Sequence, residues 1–408
     1  MSASTLRTVC IGDLGRIVTG KTPPSSHPEF FGNDYPFLTP TDIDGVGRFA
    51  NTTRWLSTQG SRHQHRLMLP ARSICVVCIG ATIGKTCMTD RPSFSNQQVN
   101  SVIVNEEEHD PFFIYHTLST LREELKQAAG GAATPIINKS AFSEIEVHVP
   151  PLPIQRRIAG ILSAYDDLIE NSQRRIKILE EMARRLYREW FVHFRFPGHQ
   201  GCKLADSPLG EIPEGWEVQP FSALASYVNG YPFKPAQLGK EGKPIIKIKE
   251  LKAGIVVDTP RNPGGEIPGK YHVSDGDVLF SWSADLDVYL WRGGEGLLNQ
   301  HLFNVVPAEG ISRAFCFHAL KESMPRFRAL SLGATMHHIK RSALDQVFTV
   351  VSPGSIRNQF QELVCPMHLQ LVTLTRHVRN LRRTRDLLLP RLLSGQIDVE
   401  ALPAPALD

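Results

Sequence analysis

Residues Gly80-Ala81-Thr82-Ile83-Gly84-Lys85-Thr86 carry the side-chain types of a nucleotide-phosphate loop. The spacing excludes one. Such a loop needs four residues between its first glycine and Gly-Lys-Thr, and Gly80 is one residue too close. The segment reads instead as a tight turn between strands. Cys75 and Cys78 form a CxxC inside the apolar run Ile74 to Ile79. A zinc site needs a second ligand pair, and none stands at a usual spacing. Strand residues three apart also face opposite ways, so core packing is the reading for both thiols. The seven cysteines, at 10, 75, 78, 87, 202, 316 and 365, are odd in number and scattered, which is not a disulfide framework. No Gly-x-Gly-x-x-Gly follows a strand, and no Gly-x-Ser-x-Gly orders the many Ser, His and Asp residues. The carboxylate pairs Asp166-Asp167 and Glu180-Glu181 sit on helix surfaces, where they are solvated or salt-bridged. No metal ligand set or catalytic group emerges, so the residues favour a binding protein, although active sites need not carry short motifs.

The elements that would position any site are dominated by one pattern. Apolar or small residues recur at Leu162, Tyr165, Ile169, Ser172, Ile176, Leu179, Ala183, Leu186 and Trp190, in steps of three and four. That is the 3.5-residue repeat of a coiled-coil seam. Adding 202 to each number gives Val364, Met367, Leu371, Leu374, Val378, Leu381, Arg385, Leu388 and Leu392. Ser172 is the polar exception in the first set and Arg385 in the second. A long helix with one apolar stripe needs a partner to cover it. The two helices are expected to pack on each other as a rigid spacer, each carrying a globular domain on its N-terminal side. The span from Leu162 to Trp190 is roughly 43 Å at about 1.5 Å per residue, a little over one DNA turn of roughly 34–36 Å. The repeats alone do not choose between parallel and antiparallel packing.

The rest of the chain is duplicated as well. Residues 1–152 read as a mixed α/β domain, 153–196 as the first long helix, 197–352 as a linker and a second domain, 353–397 as the second long helix, and 398–408 as a frayed tail. Val18–Gly20 is answered by Val228–Gly230, Pro36-Phe37-Leu38 by Pro244-Ile245-Ile246, and Asn96-Gln97 by Asn299-Gln300. Ala133-Thr134 is answered by Ala334-Thr335, and Ser140-Ala141-Phe142 by Ser342-Ala343-Leu344. Two similar halves in one chain can form a pseudo-dimer about a pseudo-twofold axis.

Composition bounds the setting. Hydrophobic content is 41% and charged content 21%, ordinary for a soluble globular chain. No apolar run approaches the roughly 20 residues of a membrane span, and the first residues lack a signal-peptide core, so a cytoplasmic protein is the expectation. The net charge is +4, but residues 153–195 carry nine Arg/Lys against six Asp/Glu, and 355–395 seven Arg against two acids. The two rods are thus basic and the remainder acidic. A basic rod suits a phosphate backbone; solvated Arg-rich helix faces are the plainer reading.

Several strings resemble the specificity subunit of type I restriction–modification systems (HsdS). Gly20-Lys21-Thr22-Pro23 followed by Tyr35-Pro36-Phe37-Leu38 resembles the opening of a target recognition domain, and Gly80 to Lys85 its middle. Pro244 to Lys249 and Leu297-Leu298-Asn299-Gln300-His301 are similar to another variant of that domain. The ending Leu387-Leu388-Leu389-Pro390-Arg391-Leu392-Leu393-Ser394-Gly395-Gln396-Ile397-Asp398 is the most specific string, and the resemblance spans nearly the whole chain. It implies two α/β recognition domains, each reading one half of a split double-stranded DNA target. It implies an antiparallel coiled coil that sets the gap, two adenine-methyltransferase subunits docked on the chain, and restriction (motor-nuclease) subunits that join for cleavage. It further implies no chemistry and no cofactor here, with S-adenosylmethionine, ATP and magnesium held by the partners. Ser281-Trp282-Ser283-Ala284-Asp285-Leu286-Asp287 lacks the Gly-Lys of the first domain, which implies an asymmetric target.

Within that frame Lys247 and Lys249 are candidate base readers. In a strand they would share one face, with Ile246 and Ile248 on the other. Thr39 and Thr41 occupy the matching places in the first domain. Lysine donates to guanine acceptors, and threonine makes polar or methyl contacts. Lys85 in its turn, Lys139, and His337, Lys340 and Arg341 in the matching loops are further candidates, for phosphate more than base. The plainer reading of each is a solvated surface residue. Ser172 and Arg385 either fix the register of the coil or mark where it opens toward methyltransferase helices. A self-contained DNA-modifying enzyme and a DNA-free coiled-coil scaffold are the competing functions.

Overall fold

The computed structural model describes residues 6–45, 47–129, 135–331, 338–399 and 401. They divide into two units, Met1–Glu170 with Asn380–Asp408, and Asn171–Arg379. Each unit therefore holds one globular domain and one part of each long helix. His337, Ala133-Thr134 and Ala334-Thr335 lie outside the described residues.

In the first unit the strands are β1 (Arg7–Cys10), β2 (Gly15–Thr19), β3 (Phe31–Leu38), β4 (Trp55–Leu56), β5 (Ile74–Val77), β6 (Thr86–Met88), β7 (Phe94–Ser95), β8 (Val99–Val104) and β9 (Glu146–Val149). The helices are α1 (Thr58–His63), α2 (Pro111–Thr120), α3 (Arg122–Ala128), α4 (Lys139–Ser143) and the long α5 (Leu152–Phe191). One sheet runs β2-β8-β5-β6 and a second β4-β3-β7, while β1 pairs with β9. The second sheet joins β3 to β7 in parallel, Phe37 beside Phe94. Every residue of Ile74-Cys75-Val76-Val77 is buried, as a central strand covered on both faces must be. Both cysteines of the CxxC are buried, and burial pushes the Cys78 thiol up to about 11, which suits an inert core residue. Asp110 caps α2, its Oδ1 accepting from the Phe113 N–H at 3.0 Å, with Pro111 in the first turn. α2 and α3 are separated at Leu121.

The core of this unit gathers Ile74, Val76, Val102, Phe113, Leu118, Phe142 and Val147 with Ile158 and Leu162 of α5 and Leu392 from the end of the second long helix. The helix stripe thus packs on its own domain as well as on its partner helix.

The second unit repeats the plan. After the short pair β10 (Leu204–Ala205) and β11 (Ile212–Pro213) come β12 (Glu217–Pro220), α6 (Phe221–Leu224), β13 (Ala225–Asn229), β14 (Lys243–Ile246), α7 (Ile248–Ala253), β15 (Arg261–Asn262), β16 (His272–Val273), β17 (Val278–Ser281), β18 (Asp287–Leu290), β19 (Gly296–Leu298) and β20 (Leu302–Pro307). Then follow α8 (Arg313–Ala329), α9 (Ala343–Gln346), β21 (Phe348–Val351) and the long α10 (Gly354–Leu393). Its sheets run β13-β20-β17-β18 and β15-β14-β19-β16, and β12 pairs with β21. Apart from β16, which adds a fourth strand to the second sheet, this is the first unit's strand order, including the parallel pair β14 with β19.

Both long helices contain 40 residues. The first stops at Phe191, not at the expected Phe196 just before Pro197. Phe194 adopts φ +57°, and the chain turns so that Phe194 and Phe196 pack on Trp216, with ring centroids 5.5 and 5.1 Å away. Aromatic burial, not the proline, ends the helix. The second starts at Gly354, one residue after the expected 353. Within the first unit Asp166 of α5 meets Arg385 of α10 at 2.6 Å. Farther toward the start of α5, Ile158 and Leu162 share a core with Leu388 and Leu392, nearer the end of α10. The helices there run antiparallel. In the second unit Tyr187, Trp190 and Phe191 of α5 surround Phe360 of α10, with centroids 6.0, 6.0 and 5.0 Å apart.

Candidate nucleic-acid interface

Each domain draws several of its loops together by the same backbone hydrogen bonds. In the first, the Gly20 N–H donates to Val99 O at 3.2 Å, Lys21 N–H to Ser95 O at 2.9 Å, and Asn96 N–H to Leu38 O at 3.0 Å. In the second, the Gly230 N–H donates to Leu302 O at 2.9 Å, Tyr231 N–H to Leu298 O at 2.8 Å, and Asn299 N–H to Ile246 O at 3.0 Å. A Cβ on Gly20 would stand 2.2 Å from Ser95 O, and one on Gly230 2.2 Å from Asn299 O. Both positions exclude side chains because another backbone passes there. The loops after β2, β3 and β7 are thus tied into one cluster, and those after β13, β14 and β19 into its counterpart.

A further loop joins each cluster's neighbourhood. Gly80 N–H donates to Pro135 O at 3.0 Å and Ile137 N–H to Cys78 O at 2.8 Å. This sets the β5–β6 turn, which carries Lys85, against the segment leading to Lys139. The turn connects antiparallel strands, as the spacing argument required. Cγ of Lys85 would lie 3.3 Å from a Cβ on Gly45, so the lysine's stem packs on the loop that follows Thr39. In the second domain Ile339 N–H donates to Trp282 O at 3.0 Å, which brings the β17–β18 turn to the segment holding Lys340 and Arg341.

The side chains on these shared loops differ. The first domain presents exposed Gln97, whose Oε1 accepts from Thr22 Oγ1 at 2.8 Å. The second presents Trp282, whose Nε1 donates to Asn229 Oδ1 at 3.3 Å. Its ring lies 6.0 Å from exposed His301, which contacts Ser283 Oγ at 3.3 Å. Lys252 pairs with Asp285 at 2.5 Å. Gln97, Trp282 and His301 were not singled out from the sequence; the repeated Asn-Gln pair was the available signal for Gln97.

Two of the sequence expectations fail in their geometry. Lys247 and Lys249 do not share a strand face, because β14 ends at Ile246 and Lys249 lies in the first turn of α7. Buried Glu250 ends the strand, its Oε2 accepting the Lys247 N–H at 3.1 Å. Thr39 and Thr41 likewise follow the end of β3. Asp42 Oδ2 accepts the Thr39 N–H at 2.8 Å and its hydroxyl at 2.6 Å, and Thr41 Oγ1 lies 2.8 Å from Thr39 Oγ1. Thr39 is only 4% exposed, so it holds a turn and presents little to solvent. Thr41, Lys139, Lys249, Lys340 and Arg341 are exposed, and Lys85 and Lys247 half-buried.

The residues of the two stripes are all buried or half-buried. Leu162, Ile169, Trp190, Val364, Leu371, Leu374, Val378 and Leu392 are buried. Tyr165, Ile176, Leu179, Leu186, Met367, Leu381 and Leu388 are half-buried. Arg385, the break in the second stripe, is only 15% exposed and pairs with Asp166. His116 Nε2 lies 3.3 Å from the other Asp166 oxygen. Burial, with Arg385 and Arg48 beside it, pushes the His116 imidazole down to about 3, so it stands neutral. Arg48, from the loop after β3, reaches Asp167 at 2.5 Å and Glu170 at 3.0 Å and lies over the Phe49 and Phe112 rings. These ion pairs bind the loop region of the first domain to α5.

Residues 4–181 match the family described as type I restriction modification DNA specificity domain. Over 417 aligned residues the chain is 24% identical to the type I restriction enzyme MjaIX specificity subunit of Methanocaldococcus jannaschii, covering 96% of this chain and 93% of that one. The chain is similar to type I specificity subunits over nearly its whole length. A second relative, the HindI specificity subunit of Haemophilus influenzae, is 39% identical over 171 residues, 40% of this chain and 37% of its own. Among solved structures, the type I restriction–modification S subunit from M. genitalium superposes with a TM-score of 0.61 at 16% identity, covering 95% of this chain and 96% of that one. That likeness bears on the fold alone.

Proposed function

We propose that this chain is the non-catalytic DNA-reading subunit of a type I restriction–modification complex. Each domain reads one half of an asymmetric, split double-stranded target through its loop cluster. The long helices set the unread gap and position two adenine-methyltransferase subunits and the restriction subunits. S-adenosylmethionine, ATP and magnesium act on those partners. The observation that carries the reading is the duplication itself: one backbone hydrogen-bond scheme, used twice, presents Gln97 and Thr22 in one copy and Trp282, His301 and Tyr231 in the other. Equal scaffolds with unequal side chains suit two unlike half-sites. Among the described residues no helix is long and apolar enough to cross a membrane, and a cytoplasmic complex is part of the proposal.

The test is methylome sequencing of cells that express the chain with its methyltransferase subunits, before and after residues 1–150 are exchanged for those of a relative. A split adenine-methylated motif should appear, and the exchange should change one half only. A change in both halves would refute independent reading, and no sequence-specific methylation at all would refute the function.

A further inference from the structure

Three exposed cations from three separate elements line one shallow pocket in the first unit: Arg16 on β2, Arg66 in the turn 65–67, and Lys139 at the start of α4. The pocket measures about 350 Å³, and Ile17, Val18, Thr19 and Leu67 complete its wall, with no carboxylate in it. Among the described residues none of the three cations has an Asp or Glu oxygen within 4.0 Å. Other exposed arginines of the same unit do: Arg72 pairs with Glu106 at 2.9 Å and Arg91 with Asp90 at 2.9 Å. Arg16 Nη1 instead reaches the Arg66 carbonyl at 3.5 Å, a weak interaction that ties strand to turn. Gathered like charges without counter-charge repel one another and raise the local concentration of anions. The second domain does not repeat the arrangement, since β13 carries Ser226 where β2 carries Arg16.

The pocket adjoins the loop cluster through both of its ends. Thr19 leads directly into Gly20, and the segment before Lys139 is bonded to the β5–β6 turn. We infer that Arg16, Arg66 and Lys139 seat a phosphodiester group of the DNA backbone beside the bases read by the first domain. This rests on the proposed DNA-reading function and assigns a side-chain set to the anchoring, sequence-blind part of it. Arginine and lysine in such a seat fix register on the duplex and carry no base information.

The experiment uses the full chain assembled with its methyltransferase subunits and compares wild type with Arg16→Gln/Arg66→Gln/Lys139→Gln. DNA affinity is measured against salt on target and unrelated duplexes. The slope of log affinity against log salt should become shallower by about 0.9 for each phosphate that is no longer neutralised. Affinity should fall by a similar factor on both duplexes, and the methylated sequence should not change. Arg16→Lys/Arg66→Lys/Lys139→Arg should keep the wild-type slope. An unchanged slope in the Gln variant overturns the inference, as does a changed methylated sequence, which would make these residues base readers. If inorganic phosphate raises the melting temperature of wild type but not of the Gln variant while the DNA slope stays the same, the pocket binds free anions and the inference fails. Failure of the underlying function looks different: wild type itself would then show no preference between the two duplexes.

Discussion

Asp166 and His368 stand at matching places in the two helices, 202 residues apart, and each faces a matching histidine. His116 Nε2 lies 3.3 Å from Asp166, and His318 Nε2 lies 3.2 Å from His368 Nε2. One copy of the joint between domain and helix sets a neutral imidazole beside a carboxylate, and the other is a pair of neutral imidazoles. Burial pushes His318 down to about 3 and His368 to about 4, with His368 and Lys321 adding to the first and Arg292 to the second. Buried His116 and His318 and half-buried His368 therefore all have folded values below 6.5. Their contribution to stability is present above about pH 6.5 and is lost as pH falls, toward about 4 for His368 and about 3 for His116 and His318, because the unfolded chain binds protons that the folded chain refuses. Asp166 and Glu170 act the other way, because burial pushes their carboxyls up. Each histidine should account for about 1.4 kcal/mol per pH unit inside its window. Urea unfolding at pH 6.5 and pH 5 should show His318→Asn losing about 2 kcal/mol less than wild type over that interval. Equal losses would mean that the pair is already protonated in the folded chain.

At the scale of elements, the glycines that close each loop cluster make the firmest expectation. Gly20→Ala and Gly230→Ala each drive a methyl against backbone oxygen, a clash no rotamer change can relieve. Each should lower the melting temperature by several degrees, since about 1 kcal/mol corresponds to roughly 2–4 °C in a domain of this size. An alanine at either position with wild-type melting would show that the loops are not held together there. The importance of these loops was legible in the sequence as a repeated Val-x-Gly and a repeated Asn-Gln, and the helices were legible because a 3.5-residue period is local. The faces of Thr39 and Lys247 were not. Alternation suggests a strand that continues, while an acid three residues on, Asp42 in one copy and Glu250 in the other, captures the backbone N–H and ends it. That acid is a turn signal, visible in the sequence and outweighed there by the apolar alternation. The Arg16, Arg66 and Lys139 pocket was illegible for a different reason: its members lie 50 and 73 residues apart along the chain, and only the fold brings them to one wall.

At the scale of the whole molecule, the proposed ruler can be lengthened. Seven residues inserted in register into each long helix preserve the seam, because the stripe repeats every 3.5 residues. They add roughly 10.5 Å at about 1.5 Å per residue, or about three base pairs at roughly 3.4 Å each. The unread gap in the methylated motif should therefore grow by about three base pairs, with both half-sites unchanged. Three base pairs also turn the duplex by nearly a third of its helical repeat, whereas a whole heptad turns the coil very little. The second domain must then meet a groove that has rotated away from it, so the longer target should bind more weakly than the original pair of chain and site. Shorter and longer inserts separate the two effects, since an insert that restores the groove's facing recovers affinity without restoring the gap. Methylation of the original spacing by the lengthened chain would show that the helices do not measure the gap, and the two domains would then have to be placed on DNA by their partners.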